Sequence, residues 1–370
     1  MALNFRRKML EGMVWGVNAF ARATPLPSDP RSIFVIQPGH IGDLLVNTPL
    51  FEALRRKFAG AKIVVGAGPW NAATVENNPF VDEFVALNFP WSNKFVKPQG
   101  VLAAMNFIYR SPEVGALASR KFDVGIDLLG EHFDALLMLR IGVGYRVGGG
   151  HGFTAMQQVV ARDPGVPMGE TALRMAQLLG ATDLPAARPQ LYLTPDERER
   201  GKALWGSDGR KRLVIAPAAG MPSRSWPHEN YVEAARELAK DDRLAIALVG
   251  GEDAVEVCGR IVAAAPAIVN RCAKLGLRET FSLVAGADAT LSNSNMVLHV
   301  AAAFGRPAVV VLSNSTPLAR VEQALWGHDT SRMFGNEVDH AGIYTPGEIA
   351  AIVLETLYNS PARVRIQTGN

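Results

Sequence analysis

The segment QPGHIGDLLVNTP, Gln37 to Pro49, sets one carboxylate, Asp43, beside Gly39, His40 and Gly42 where an apolar run hands over to a helical pattern. A carboxylate at such a junction does one of two things. It caps the helix, accepting from first-turn N–H groups that have no partner of their own. Or it takes a proton from a bound hydroxyl as a general base. Glycine backbone can approach a ligand closely, at Gly39 and Gly42 on either side of His40. Thr48 and Pro49 read as an N-cap and a first-turn proline that start or restart a helix.

Two further junctions carry polar groups suited to an anion. In VIAPAAGMPSRSWPHENYVEAARELA a strand leaves through a loop with Gly220, Ser223 and Arg224, then enters a helix at Pro227. Free N–H groups, hydroxyls and a guanidinium there make a phosphate cradle; the plain alternative for Arg224 is a solvated loop charge. In DATLSNSNMVLHVAAAFGRP the residues Ser292, Asn293, Ser294 and Asn295 lie between a strand and a helix that carries His299. Small polar residues at a helix N-terminus suit an anion or serve as ordinary caps, and His299 is either functional or a satisfied, half-buried histidine. Glu252, after LVGG, is a candidate for a nucleotide ribose or a first-turn helix acid. No D-x-D occurs and no His/Asp cluster has ligand spacing, so neither a metal nor another cofactor is expected.

The elements that position these residues alternate. IFVIQ, KIVVGA, EFVAL and DVGIDLL read as buried parallel strands, with LFEALRRKF and EHFDALLMLR as helices between them. In the first helix Leu50, Leu54 and Phe58 share a stripe and Arg55, Arg56 and Lys57 face away. Residues 185–212 turn rich in Pro, Gly and charge and mark a crossing between domains. A second set follows, from RLVIAP through LAIALVGG and DATLSNS to AVVVLSNS. The pattern is α/β, two doubly wound halves in tandem, with a site expected at the strand carboxyl ends in a cleft between them. TPGEIAAIVLETLYNS closes the pattern as a helix with Thr345 as N-cap and Pro346 at its first position.

A chain of 370 residues is long for one core. Its net charge of +3 is too small, and its basic residues too dispersed, to argue for nucleic acid. Cys258 and Cys272, the two cysteines, form no C-x-x-C, as in a reducing cytoplasm without zinc or a disulfide framework. The N-terminal stretch NFRRKMLEGMVWGVNAFARA is basic and amphipathic but too broken to span a bilayer. It reads equally as a helix on an anionic membrane surface or as one packed on the body of the protein. G-x-G-x-x-G is missed by both GVGYRVGGG and VVGAGPWN, which sets a nicotinamide dehydrogenase aside.

Four boxes in order, over roughly residues 32–320, resemble glycosyltransferase family 9, the heptosyltransferases of lipopolysaccharide core synthesis. IGDLLVNTPLFEALRRKF looks like the family's G-D segment. KFDVGIDLLGEHFDALLMLRIGVGYRVG is similar to its middle segment. PSRSWPHENYVEAARELA matches its K/R-x-W-P box, and GADATLSNSNMVLHVAAAFGRPAVVVLSNSTP its D-[ST]-G-x-x-H block. The resemblance implies a GT-B fold, two Rossmann-like domains facing a central cleft. It divides the chain into a basic segment and linker (1–31), an acceptor domain (32–195), a nucleotide-sugar domain (196–335) and a terminal helix (336–370) returning to the first domain. It makes Asp43 the catalytic residue and puts Gly39, His40 and Gly42 on the acceptor side. Gly220, Ser223, Arg224, Glu252, Ser294, Asn295, Met296 and His299 fall on the donor side. In the last block Ser294, Asn295 and Met296 replace the family's Asp, Ser/Thr and Gly.

What the resemblance implies is inverting, metal-independent transfer of a sugar, heptose from ADP-heptose, to a hydroxyl of a lipopolysaccharide-core or related glycan or glycolipid. Such an enzyme works in the cytoplasm, in peripheral contact with the cytoplasmic face of the inner membrane. Ser294 and Met296 motivate two alternatives: a different nucleotide sugar or acceptor, and an inactive nucleotide-sugar-binding module.

Overall fold

The computed structural model describes residues 2–21 (side chains from 8), 23–92, 99–149, 155–220, 225–313, 318–335 and 344–359. The chain divides into two compact units, Met1–Tyr192 and Leu193–Asn370.

In the first unit the described strands are β1 (Ser32–Gln37), β2 (Lys62–Ala67), β3 (Glu83–Ala86), β4 (Val124–Asp127), β5 (Tyr145–Gly149) and β6 (Gln158–Val160). They form one parallel sheet in the order β3-β2-β1-β4-β5-β6. Strand β1 shows why. Ile33, Phe34, Val35 and Ile36 are all fully buried, because helices cover both faces. Side chains alternate across a strand, so Ile33 and Val35 enter one core with Leu50, Phe51 and Leu54, while Phe34 and Ile36 enter the other with Phe107, Leu136 and Met138. The order of connection reverses between β1 and β4, and a crevice opens at the carboxyl ends of such a pair.

The second unit repeats the arrangement with β7 (Lys211–Ala216), β8 (Leu244–Leu248), β9 (Val269–Asn270), β10 (Ala289–Ser292), β11 (Ala308–Val311) and β12 (Ser331–Phe334). The order is β12-β11-β10-β7-β8-β9, again parallel throughout, with its reversal between β7 and β10. The two sheets are the pair that a GT-B architecture requires.

The terminal helix Pro346–Asn359 is capped by Thr345: Thr345 N donates to Glu348 Oε2 at 2.8 Å and Glu348 N to Thr345 Oγ1 at 3.3 Å. Ile349, Ala350, Val353 and Leu357 fill the second unit's core beside Tyr231 and Leu291. That face of Pro346–Asn359 lies against the helix His228–Leu238 and the strands β10 and β11.

The N-terminal helix Ala2–Phe20 buries Leu10 and Val14 against the first unit. Among the described residues no helix is long and apolar enough to cross a membrane.

Candidate active site

The loop after β1 is clamped at every turn. Gly39 N donates to Gln37 Oε1 at 3.0 Å, and Gly39 O accepts from Trp70 Nε1 at 3.1 Å and Asn71 Nδ2 at 3.0 Å. Ser92 Oγ donates to Pro38 O at 2.9 Å. The helix Ile41–Asn47 then starts with His40 at its N-cap and Asp43 in its first turn. His40 N donates to Asp43 Oδ2 at 2.7 Å. Asp43 is half-buried, so this charge-assisted bond fixes its carboxylate at the carboxyl end of β1.

The capping alternative for Asp43 is therefore real, and it aims the group as well as capping the helix. The glycine argument changes. Gly39 is buried, and a Cβ there would lie 2.7 Å from Asp43 Oδ2 and 3.0 Å from Gln37 Oε1. Its missing side chain makes room for the aspartate. His40 is exposed and Gly42 half-buried beside it. Thr48 and Pro49 restart the chain as the helix Pro49–Lys57; Thr48 Oγ1 donates to Leu45 O at 2.7 Å and accepts from Gln190 N at 2.7 Å.

Across the reversal, β4 ends in Asp127, a residue the sequence reading passed over. Its Oδ1 accepts from Gly130 N at 2.8 Å and Leu129 N at 3.1 Å. Burial pushes its carboxyl up to about 7, against those two bonds, with Glu131 adding to the rise. Asp134, on the helix His132–Arg140, is raised well above the carboxylate range by burial first and by Asp127 second. Asp134 Oδ1 accepts from Trp91 Nε1 at 2.9 Å, which orients the indole toward Phe133, centroid to centroid 5.3 Å. A cavity of about 270 Å³ opens there, lined by Leu10, Trp91, Ser92, Leu129, Glu131, His132 and Phe133. The only sequence signal was an acid as the last residue of the strand VGID and a second one helical turn into the next element.

In the second unit the asparagines after β10 stitch the loop after β7. Asn293 Oδ1 accepts from Trp226 N at 2.8 Å and its Nδ2 donates to Pro217 O at 3.0 Å. Asn295 caps the helix Met296–Ala303, accepting from Val297 N at 2.9 Å, and its Nδ2 donates to Ala218 O at 2.8 Å. Both polar atoms of Asn295 thus have partners within the fold. Ser225 Oγ accepts from Ala219 N at 3.1 Å, tying the far side of the loop. Gly220 is exposed at its rim, while Ser223 and Arg224 lie outside the described residues.

Ser294 Oγ donates to Glu322 Oε1 at 2.9 Å. Glu322 comes from the helix Ala319–Trp326 and is 3% exposed. A carboxylate therefore stands beside the position where the family pattern has aspartate, although the sequence block lacks one. Met296, half-buried, is the first residue of the adjoining helix. His299 is buried, with Nδ1 2.9 Å from His328 Nε2. Burial, and then His328, hold it well below the usual imidazole range, which keeps the ring neutral. Glu252 is exposed at the start of a single helical turn, Glu252–Ala254, past the end of β8. No group of three or more His, Cys, Asp and Glu among the described residues could hold a metal ion.

Comparison with known proteins identifies the family. The model described as glycosyltransferase family 9 (heptosyltransferase) matches residues 114–329. The chain is 26% identical over 302 residues to lipopolysaccharide heptosyltransferase 2 of Escherichia coli, covering 77% of this chain and 83% of that protein. It is 24% identical over 306 residues to lipooligosaccharide heptosyltransferase 2 of Haemophilus influenzae, covering 77% and 84%. Two solved structures share the fold. The glycosyl transferase family 9 protein of Veillonella parvula has a TM-score of 0.73 at 16% identity, covering 92% of this chain and all of that one. The E. coli ADP-heptose lipopolysaccharide heptosyltransferase II has a TM-score of 0.69 at 20% identity, covering 89% and 99%. The resemblance carried by the four boxes is borne out: the chain belongs to glycosyltransferase family 9, the heptosyltransferase family, and is a glycosyltransferase.

Proposed function

We propose that the chain transfers a heptose from an ADP-linked donor to a hydroxyl of a lipopolysaccharide-core or related glycan, with inversion and without a metal. The observation that carries this is the half-buried Asp43, held by His40 N at 2.7 Å at the carboxyl end of β1. The acceptor O–H gives its proton to Asp43. The oxygen forms a bond to the anomeric carbon while the bond from that carbon to the diphosphate oxygen breaks, and the nucleoside diphosphate departs with its electron pair from the opposite face. Arg224, with N–H groups of the loop after β7, offsets the leaving charge.

The acceptor side takes in the cavity beside β4. Trp91 and Phe133 offer apolar faces and Glu131 and His132 polar edges, a lining suited to a hydroxyl-rich ring. On the donor side Ser294 and Glu322 read sugar hydroxyls, and Glu252 and Gly220 flank the nucleotide. ADP-heptose is favoured by the relatives: a structure of E. coli heptosyltransferase WaaC with ADP-2-deoxy-2-fluoro heptose shares this fold, at a TM-score of 0.67.

Calorimetric titration with ADP-heptose, other ADP-sugars, UDP-sugars and GDP-sugars tests the donor. Selective ADP-heptose binding supports the proposal; preference for another nucleotide sugar replaces the donor and keeps the chemistry. Asp43→Ala tests the mechanism. Turnover falls by roughly 100-fold or more while donor binding is kept, as loss of a general base requires. Full transfer by Asp43→Ala would reduce Asp43 to a helix cap.

A further inference from the structure

We propose that the outer arc of the N-terminal helix docks this chain on an anionic lipid surface. The packed-helix reading accounts for one face of this segment only. The inner face holds it to the first unit. Leu10 and Val14 are buried, and Met13, Val17 and Ala21 pack partly against the same cluster. Asn18 Oδ1 accepts from Arg146 Nη2 at 3.2 Å, and Arg146 is itself buried. The helix is thus a fixed part of the body.

Its other face is apolar and uncovered. Trp15 is 64% exposed, Phe20 94% and Met9 41%. At 3.6 residues per turn, Trp15, Lys8, Ala19, Gly12, Gly16, Met9 and Phe20 fall within an arc of roughly 140°. That arc holds no carboxylate; Glu11, the helix's one acid, lies beyond its edge. Lys8, the cation on that arc, is exposed. Exposed aromatic and aliphatic side chains with a cationic end are what an amphipathic helix needs to lie in the headgroup region of a bilayer.

A second helix of the unit does the same. Val101–Arg110 packs, like the N-terminal helix, on His132–Arg140. It leaves Leu102 86% and Tyr109 40% exposed, and Arg110 is exposed after them. Seven residues apart, Leu102 and Tyr109 share one stripe of that helix. On each helix the charge pattern favours lipid as the occupant: exposed apolar side chains beside an exposed cation, Lys8 on one and Arg110 on the other, match anionic headgroups over acyl chains.

The test is co-sedimentation of the full chain with vesicles of phosphatidylcholine alone and of an equal mixture with phosphatidylglycerol. The mixed vesicles carry the protein down, and added salt releases part of it. The double variant Trp15→Ser/Phe20→Ser loses roughly tenfold or more in binding. Both side chains are exposed, so its melting temperature stays that of the parent, and Leu102→Ser gives a second variant outside the helix. The proposal is overturned if the parent ignores anionic vesicles or if the double variant binds them equally. It is also overturned if light scattering finds a dimer that the double variant dissolves, since a second copy would then be the occupant.

Discussion

The Ser294 hydroxyl donates to the Glu322 carboxylate at 2.9 Å, and the acid is buried. The family's block has aspartate where this chain has Ser294, and here a carboxylate reaches that position from the helix Ala319–Trp326. If Glu322 reads a donor hydroxyl, its charge matters more than its shape. Glu322→Gln keeps an acceptor for Ser294, and stability should change by no more than about 1 kcal/mol. Donor affinity should fall roughly tenfold, the difference between a charged and a neutral hydrogen-bond acceptor. Ser294→Asp alone should be worse, because it sets two carboxylates against each other, and adding Glu322→Gln should recover most of that loss. Calorimetry on the three variants gives the coupling directly. Independent, additive effects would detach Glu322 from the donor.

Gly39 and Asp43 are coupled by space. A Cβ on residue 39 would stand 2.7 Å from Asp43 Oδ2 and 3.1 Å from Asp43 Cβ, so Gly39→Ala displaces the carboxylate or the loop. The loop is held by Trp70, Asn71 and Ser92, which leaves the aspartate to move. A displacement near 1 Å of a reacting group costs about 100-fold in rate. Gly39→Ala should therefore lower kcat steeply and leave donor titration unchanged. Unaltered kcat would show that Asp43 tolerates the shift and does not take the proton.

The central strands were legible because parallel strands buried on both faces are continuous apolar runs. IFVIQ, KIVVGA, RLVIAP and AVVVLSNS each fall on β1, β2, β7 and β11. Strands β6, β9 and β12, of three, two and four residues, lie at or near sheet edges and carry exposed positions, so no such run marks them. The candidate site was legible where it is local. Asp43 lies three residues from the N–H it accepts, and Asn295 two from its own. Glu322 is 28 residues from Ser294, and Trp91 is 43 from Asp134. Those pairings depend on how strands are ordered in the sheet, which spacing along the chain does not encode. Gly39 has a further role for a related reason: only the packed loop shows that a Cβ there would meet its own aspartate.

Asp127 gives the fold a pH dependence whose sign can be fixed. Burial raises its folded-state pKa from 3.8 to about 7, so the folded protein favours the protonated acid. Its contribution to stability is greatest below the unfolded value, falls as pH rises past 3.8, and is lost in full above about 7. Asp134, raised by burial and by Asp127, titrates with it in the same direction. Asp127→Asn keeps an oxygen for Gly130 N and Leu129 N and removes the charge. The variant should melt at the parent's temperature near pH 4 and above it at pH 8, with the gain appearing between. Melting curves across that range decide the matter. A gain of equal size at both ends would come from packing, and would mean that Asp127 is not the group whose ionisation the fold resists.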